Sequence, residues 1–598
     1  MSFLQKAAQS NTYGLLALSG VLVLLFGTTT PPVLTGDEPR YLAYSYAFFA
    51  HFSFSLTDAE WASLYQKAAG LSQVPAIASG GVVHPIYLDV ILSPIAYYFS
   101  IAGLRVVSFL AGICGLSYLL RLARECTSAT PAVATATGAV TIFSIPILPH
   151  LRLYYMEVFI FAFILAGWYR IHRAPKELKS DLVTAAILLS LPFIHLRASV
   201  VGAVLYLIFL WHTYRQADAE SAQSRLTILV VAAVAALCVL VALNFYVYGS
   251  VAGSVTTAHP PLTPDEAFWT VAMQWFNVRH GLMAYAPIWL LGYAGLAVGA
   301  LRGRNLAREG LLLVLVAAVT GVGVNPGESW PARFWVLSVP MLGIGLCFWL
   351  QSIRSLVQWA ITFILGGLTL LNTIVYWWNP NSFLANRQAS VTYQLLFDFL
   401  FAKSGGFHPG LVLPVEIPGL IQTDLARNLM LVALVSVAML VWSVIYSTRY
   451  AWGPLLVLLI GADVARVRQV PPSEFVIATS AEGFVVTMKV PLEPASYFQL
   501  GPLWEVWSGP PDWPLFDVEA TAAPSDSRLF PTGDSSRWTM SANQVISAVC
   551  RNGLSRLNVN TTALAGAEAK FAVSGVKVYE SRSLVRRITA AMMHDCTS

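Results

Sequence analysis

Apolar runs about 20 residues long recur throughout residues 1–465, and they restrict the possible folds more than any other feature of the chain. A helix of about 20 residues is needed to cross the roughly 30 Å hydrocarbon core of a bilayer. Hydrophobic residues make up 56% of the sequence and charged residues only 11%, with a mean hydropathy of +0.64. The sequence therefore predicts a polytopic α-helical membrane protein.

The limits of the spans follow from the polar residues that separate the apolar runs. The first run is not a cleavable signal peptide, because no small-residue cleavage site follows it and many further spans do. About 13 transmembrane helices are expected. They lie near residues 12–31, 105–123, 133–148, 154–171, 182–194, 198–213, 226–247, 284–301, 309–324, 334–351, 356–376, 428–446 and 452–465. The last run is barely long enough to cross.

Lysine and arginine residues concentrate in alternate loops, which the positive-inside rule places in the cytoplasm together with the N-terminus. These residues are Lys6, Arg121, Arg124, Arg170, Arg173, Lys176, Lys179, Arg215, Arg225, Arg302, Arg304, Arg308, Arg354 and Arg449. Because they occupy short loops and form no patch, the net charge of +5 gives no reason to expect a nucleic-acid partner.

Residues 466–598 differ from the transmembrane domain formed by 1–465 and are predicted to form a separate β-rich extracytoplasmic domain. They are polar and rich in proline and glycine, with short alternating runs such as 475–479. Cys550 and Cys596 are the two cysteines of this tail. A lone pair on the oxidising side is expected to form a disulfide, whereas two free thiols would fit a cytoplasmic tail.

Long outer loops distinguish this chain from a channel or a simple transporter, in which outer loops are more often short. The long loops are residues 32–104, 248–283 and 377–427. The first contains amphipathic or moderately apolar stretches at 41–52, 57–69 and 84–89, which are expected to lie in the membrane interface. Their length favours an active site on the outer face.

The motif Gly36-Asp37-Glu38-Pro39 places two adjacent carboxylates directly after the first span. Carboxylates are costly to hold near lipid unless they have a function. Asp37 is predicted to be a catalytic base. The alternative is that its side chain caps the following helix, since Asp with Pro two residues later is a common helix start. Glu38 could act in catalysis by ligating a metal or binding the acceptor, or it could pair with Arg40.

Glu157 lies one turn into the fourth predicted span, where an unpaired charge is expensive. It either pairs with Arg152 or Arg197, or joins Asp37 in an acidic catalytic site. That site would work with or without a divalent cation such as Mg²⁺, Mn²⁺ or Ca²⁺. No cluster of histidine and cysteine has the spacing of a zinc motif, so a metal cannot be read from the sequence.

Cations on the outer side could bind an anionic phosphate, and arginine suits this task because its planar fork engages two oxygens at once. The candidates are Arg333, Arg197, Arg279, Arg152, His195 and His280. Each arginine could instead reach the lipid headgroups, and each histidine could be structural. Residues expected to line the site are Arg40, Tyr41, His84, Tyr87, Tyr154 and Trp330.

Several segments taken in order resemble the GT-C superfamily of membrane glycosyltransferases, over roughly residues 10–350. These segments are Gly-Asp-Glu-Pro-Arg-Tyr at 36–41, Arg-Val-Val-Ser-Phe-Leu-Ala-Gly at 105–112, His-Leu-Arg-Leu-Tyr-Tyr-Met-Glu at 150–157, Gly-Leu-Met-Ala-Tyr-Ala-Pro at 281–287 and Trp-Pro-Ala-Arg-Phe at 330–334. The resemblance implies a polyprenyl-phosphate sugar donor, a glycan or glycolipid acceptor of the cell envelope, inversion at the anomeric carbon, and a bacterial inner membrane. The added tail is loosely similar to that of actinobacterial arabinofuranosyltransferases.

Alternative functions make different demands on the sequence. A transporter or lipid flippase would place charges in the middle of several spans, often in repeated halves, and no internal repeat is seen. A scaffold protein would leave Asp37 and Glu38 unexplained. A polymer ligase or oligosaccharyltransferase of the same superfamily remains open.

The paired cysteines of the tail yield a first test. If Cys550 and Cys596 form a disulfide, thiol labelling of the protein in oxidising cells should find neither free. The chain-entropy model expects the bond to stabilise the tail by about 4 kcal/mol. Labelling of both thiols, or protease access to the tail from the cytoplasmic side alone, would contradict the predicted placement.

Overall fold

The computed structural model describes the helical part of the chain and, in its tail, separate strands. The described residues are 12–28, 34, 37–69, 86–175, 177–216, 219–250, 275, 281–320, 332–378, 437, 441, 467–469, 472–479, 483–489, 497–500, 504–507, 515–522, 529–530, 537–541, 545–548, 554–561, 569–571 and 576–581. The chain divides into two units, one containing every described helix up to Trp378 and the other containing the strands.

The described part of the first unit is a set of α-helices. They are α1 (Thr12–Thr28), α2 (Glu38–His51), α3 (Asp58–Ala69), α4 (Tyr87–Arg121), α5 (Pro131–Phe143), α6 (Ile147–Leu151), α7 (Met156–Arg173), α8 (Leu178–Leu189), α9 (Leu191–Ile194), α10 (Leu196–Gln216), α11 (Ala219–Tyr248), α12 (Leu282–Tyr285), α13 (Trp289–Leu301), α14 (Asn305–Val319), α15 (Val339–Ser352) and α16 (Leu356–Trp378). A π-helical turn (Leu122–Cys126) follows α4, and a 3₁₀ turn (Arg333–Trp335) precedes α15.

Several of these helices are suited to a membrane. Among the described residues, four helices are long and apolar enough to cross one: Tyr87–Cys126, Leu196–Arg215, Gln223–Tyr248 and Leu356–Ile374. Shorter apolar helices occur at Gly14–Leu25, Pro131–Phe143, Trp289–Leu301 and Val339–Ser352. The expected number of about 13 spans stays a prediction, because the runs at 428–446 and 452–465 lie almost entirely outside the described residues.

The described part of the first long outer loop is helical. Helices α2 and α3 form where amphipathic stretches were expected. The stretch at 84–89 lies partly outside the described residues, and its described part contains the start of α4 at Tyr87. The backbone of α4 kinks at Ser100 (φ 55°), six residues after Pro94, so the span expected from residue 105 begins just beyond the kink.

Local signals explain where two of these helices begin. Pro39 occupies the first turn of α2, where its missing N–H costs nothing. Pro131 opens α5, and the hydroxyl of Thr130 accepts a hydrogen bond from the backbone N–H of Val133. Both starts follow from residues in the local sequence.

Glycines set the closest helix contacts, and these contacts position the segments that carry charged residues. A Cβ on Gly115 of α4 would lie 2.6 Å from the ring of Phe161 in α7. A Cβ on Gly295 of α13 would lie 1.8 Å from the carbonyl oxygen of Gly345 in α15. The backbones of α13 and α15 therefore touch, which fixes α15 and the turn that precedes it.

The second unit consists of antiparallel strands. They are β1 (Val467–Gln469), β2 (Phe475–Thr479), β3 (Gly483–Met488), β4 (Tyr497–Leu500), β5 (Trp504–Trp507), β6 (Leu515–Ala522), β7 (Leu529–Phe530), β8 (Arg537–Ser541), β9 (Val545–Ala548), β10 (Leu554–Thr561), β11 (Ala569–Phe571) and β12 (Val576–Ser581). Two sheets have five strands each, in the orders β1-β12-β4-β9-β7 and β2-β3-β10-β6-β8, and β11 pairs with β5. Strand β2 aligns Phe475 with Met488 of β3, and both side chains are buried.

The contact between α13 and α15 predicts a stability difference. Gly295→Ala forces a methyl group against a carbonyl oxygen and should lower the free energy of unfolding by about 1–3 kcal/mol. Gly367→Ala in α16 is the matched control, because no described atom lies within 4 Å of its Cβ. Thermal unfolding of the purified variants in detergent would measure the difference, and equal melting temperatures would contradict the backbone contact.

Candidate active site

Arg333 joins two carboxylates that are far apart in the sequence. Its Nε donates to Oε1 of Glu157 at 2.5 Å, and its Nη1 donates to Oδ2 of Asp37 at 2.7 Å. All three side chains are largely buried, with exposed fractions of 11% for Arg333, 21% for Asp37 and 6% for Glu157. The side chain of Asp37 is therefore the more exposed of the two acids. The three groups together carry one net negative charge.

The backbone around Asp37 shows how its side chain becomes available for this contact. The carbonyl oxygen of Asp37 accepts hydrogen bonds from the N–H groups of Arg40 and Tyr41 and so opens α2. Its carboxylate makes no capping hydrogen bond, so the alternative in which the Asp37 side chain caps the helix is wrong. The backbone N–H of Asp37 donates to the hydroxyl of Tyr155 at 3.3 Å.

Aromatic rings surround the guanidinium of Arg333. Its central carbon lies 4.7 Å from the centre of the Tyr155 ring. Tyr41 contacts Tyr155 edge-on, with ring centres 6.2 Å apart. Burial opposes the charge of Arg333, but the carboxylates of Glu157 and Asp37 outweigh this effect and raise the pKa of the guanidinium well above its ordinary value. Arg333 is therefore a permanent cation of this site.

Glu38 has a different partner from the one considered in the sequence. Its fully buried carboxylate accepts hydrogen bonds from Nε of Arg105 at 2.9 Å and from Nη2 at 2.8 Å. The backbone N–H of Tyr154 donates to the same carboxylate at 2.9 Å. This bidentate contact with Arg105 favours a structural role for Glu38 over a catalytic one.

Asp89 is a buried acid that the sequence reasoning left without a role. Its Oδ1 accepts hydrogen bonds from the hydroxyls of Tyr154 at 2.8 Å and Ser45 at 3.3 Å. Asp89 thereby ties the start of α4 to α2 and to the segment before α7. The signal that could have found it is a lone carboxylate at the head of a long apolar run.

Arg197 and Arg333 meet at the 3₁₀ turn that precedes α15. Nη2 of Arg197 donates to the carbonyl oxygen of Phe334 at 2.9 Å, and its guanidinium lies 4.3 Å from the centre of the Phe334 ring. The backbone N–H of Arg197 donates to Nδ1 of His195 at 3.1 Å. The charges of His195 and Arg197 act on Glu157, so these candidates belong to one electrostatic neighbourhood.

The other predicted residues are less central or undescribed. Arg152 is buried, and its guanidinium lies 5.4 Å from the centre of the Trp377 ring. The hydroxyl of Tyr87 donates to Oδ1 of Asn244 at 2.7 Å, and Arg40 is half-buried. Residues Arg279, His280, His84, Trp330, Cys550 and Cys596 lie outside the described residues.

A divalent cation between Asp37 and Glu157 would compete with Arg333, which engages one oxygen of each. Oε2 of Glu157 is buried and has no hydrogen-bond partner among the described residues, so it is the oxygen that could face an ion. The positive partner that the structure supplies for both acids is Arg333. Participation of a metal here stays a prediction.

Comparisons with known proteins found matches among solved structures alone. No family model and no curated protein matches this chain. The solved structures that it resembles include ArnT from Cupriavidus metallidurans in the apo state, with a TM-score of 0.41, 14% identity, and coverage of 76% of this chain and 75% of that one. ArnT bound to undecaprenyl phosphate gives a TM-score of 0.38, 16% identity, and coverage of 75% and 74%. Similarity at this level does not establish a family, a donor or an acceptor.

The buried pair of Glu38 and Arg105 predicts a stability effect separate from catalysis. Arg105→Met leaves the Glu38 carboxylate buried without its cation and should destabilise the protein by about 3–5 kcal/mol. The double variant Glu38→Gln with Arg105→Met removes the stranded charge and should recover much of that loss. Thermal unfolding of the two variants would measure this, and equal losses would argue that the carboxylate is not held by Arg105.

Proposed function

We propose that this chain is an integral-membrane glycosyltransferase that transfers a sugar from a polyprenyl-phosphate donor to a glycan or glycolipid of the cell envelope. The reaction takes place on the extracytoplasmic face. The single observation that supports it most is the contact of Asp37 and Glu157 with one guanidinium, that of Arg333. The resemblance of the segments around all three residues to the GT-C superfamily supplies the reaction type.

In this proposal Asp37 is the general base. It accepts the proton of the acceptor hydroxyl while that oxygen attacks the anomeric carbon of the donor. The bond between the anomeric carbon and the phosphate oxygen breaks, and polyprenyl phosphate leaves with both electrons of that bond. General-base catalysis of this kind contributes about 10²–10⁴-fold to a rate. Asp37 suits the role better than Glu157 because its side chain is the more exposed of the two.

Arg333 links the proton transfer to Asp37 with the departure of the phosphate. Protonation neutralises Asp37 and weakens its ion pair with Arg333 at the moment when the leaving phosphate gains a negative charge. A guanidinium has five N–H donors, and the two carboxylates engage its Nε and Nη1. The guanidinium can therefore turn part of its charge toward phosphate while Glu157 keeps it in place. Electrostatic stabilisation by an oriented cation is a major source of catalysis.

Arg197 is the second cation assigned to the phosphate. From α10 it contacts the turn that carries Arg333, through the carbonyl oxygen and the ring of Phe334. Its Nε is buried and has no hydrogen-bond partner among the described residues. Two arginines beside one site can hold a phosphate group through several oxygens at once. The tail, with its antiparallel sheets, is assigned to acceptor binding outside the cytoplasm.

Replacement of the proposed base tests the chemical step. Asp37→Asn keeps the shape of the side chain and an oxygen for Arg333 but cannot accept a proton. Transfer from polyprenyl-phosphate sugars by the purified enzyme in liposomes should fall by about 10²-fold or more, with donor binding retained. Asp58→Asn on α3, an exposed acid, is the matched control. Activity of Asp37→Asn within a few-fold of the parent would remove Asp37 from the base role.

Replacement of the bridging arginine tests donor binding. Arg333→Gln should weaken binding of polyprenyl phosphate to the protein in detergent, because it removes the cation nearest to both acids. Arg308→Gln, at the exposed start of α14, changes the net charge equally and should bind normally. If the parent protein binds no polyprenyl phosphate, or moves a lipid across liposomes without breaking the sugar–phosphate bond, a transporter would be favoured.

A further inference from the structure

A second cluster of polar side chains joins three helices away from the candidate active site. His172 lies in the last turn of α7, His212 near the end of α10, and Glu309 in the first half of α14. Glu157 and His172 belong to the same helix, and at 1.5 Å per residue they are separated by about 22 Å along its axis. Since Glu157 is at the end of α7 assigned to the outer face, the cluster lies at the cytoplasmic end.

The side chains of this cluster converge on one carboxylate. Nε2 of His172 lies 2.8 Å from Oε2 of Glu309, and Nε2 of His212 lies 3.0 Å from Oε1. The two imidazole rings are 4.9 Å apart between centres and nearly perpendicular. The three potential ligand atoms all lie within 4.8 Å of one another. Among the described residues, no other group of three or more such side chains meets this criterion.

We propose that His172, His212 and Glu309 bind a divalent transition-metal ion of the zinc class. Two imidazole nitrogens and one carboxylate are a common protein donor set for zinc, which then keeps a position for water. Tetrahedral zinc with bonds of about 2.0–2.2 Å holds its ligand atoms about 3.4 Å apart. The two nitrogen–oxygen distances, 2.8 and 3.0 Å, are somewhat shorter than that value, and all three ligand atoms lie within 4.8 Å of one another, so small side-chain rotations bring them into place.

The surroundings of Glu309 support an ordered ligand. The indole N–H of Trp168, one turn before His172, donates to Oε2 of Glu309 at 2.9 Å. Hydrogen bonds to the ligands orient them and are typical of metal sites in proteins. The three ligand side chains are partly exposed, so an ion can enter from solvent and keep a bound water.

A metal at this place would clamp the cytoplasmic ends of α7, α10 and α14. These helices come from separate parts of the chain, and each presents one ligand. An ion that binds the folded protein and not the unfolded chain stabilises the fold, and this stabilisation grows with the logarithm of the free ion concentration once that exceeds the Kd. The site is therefore assigned a structural role, separate from sugar transfer at the opposite end of α7.

The alternative is that His172 and His212 hydrogen-bond to Glu309 without any ion. Zinc titration separates the two cases. The full-length protein, purified in detergent with a tag that contains no histidine, should bind about one Zn²⁺ per chain by isothermal titration calorimetry and by elemental analysis. Its melting temperature should rise with zinc and fall after dialysis against a chelator.

Variants identify the ligands. His212→Gln and Glu309→Gln should each weaken zinc binding by about 100-fold or more, and Trp168→Phe by about 10–100-fold. His51→Gln is the matched control, since Nε2 of His51 contacts Oε1 of Glu60 at 2.8 Å without a second histidine. It should bind zinc like the parent.

Cobalt offers a readout that needs no thermal unfolding. Co²⁺ in place of Zn²⁺ should give the visible absorption of a four- or five-coordinate ion in the parent and in His51→Gln, but not in Glu309→Gln. No bound zinc in the folded parent, or equal binding by the parent and Glu309→Gln, would overturn the proposal and leave a hydrogen-bonded triad.

Discussion

The ion pairs of Arg333 are the interaction on which the arrangement of the surrounding helix ends depends. Charges buried beside a bilayer are tolerated only when they are paired, and removing one partner leaves the others uncompensated. Arg333 must therefore lie where both Asp37 and Glu157 can reach it. This requirement holds together the entrance to α2, the first turn of α7 and the turn before α15, which are hundreds of residues apart in the chain.

Long apolar runs made the helices predictable, but not the partners of the charges. Asp37, Glu157 and Arg333 were all candidates, yet nothing local indicates that one guanidinium serves both acids across 296 and 176 residues. Glu38 is an example. The sequence suggested Arg40, two residues away, as a partner, whereas Arg105 approaches from α4 and engages both oxygens of the carboxylate.

The cluster of His172, His212 and Glu309 was even harder to predict from the sequence than the partners of Arg333. Zinc motifs are recognised in sequence when two ligands share a turn or a loop, and here each ligand comes from a different helix. The spacing of histidine and cysteine in the sequence therefore carries no information about ligands that meet only in the folded protein. The available hint was a glutamate close to the start of an apolar helix, which needs a partner in the same way as Glu157.

Helix α7 links the two polar clusters. Glu157 is in its first turn and Arg170, His172 and Arg173 are in its last, an order that favours the helix dipole at both ends. Between these two ends α7 is apolar and nearly all buried. It therefore exposes no polar face that would favour sliding of the helix along its axis. With Arg333 holding one end and Glu309 the other, the height of Glu157 in the membrane is set by contacts at both ends. The position of the acidic pair then depends on the contacts at both ends of α7.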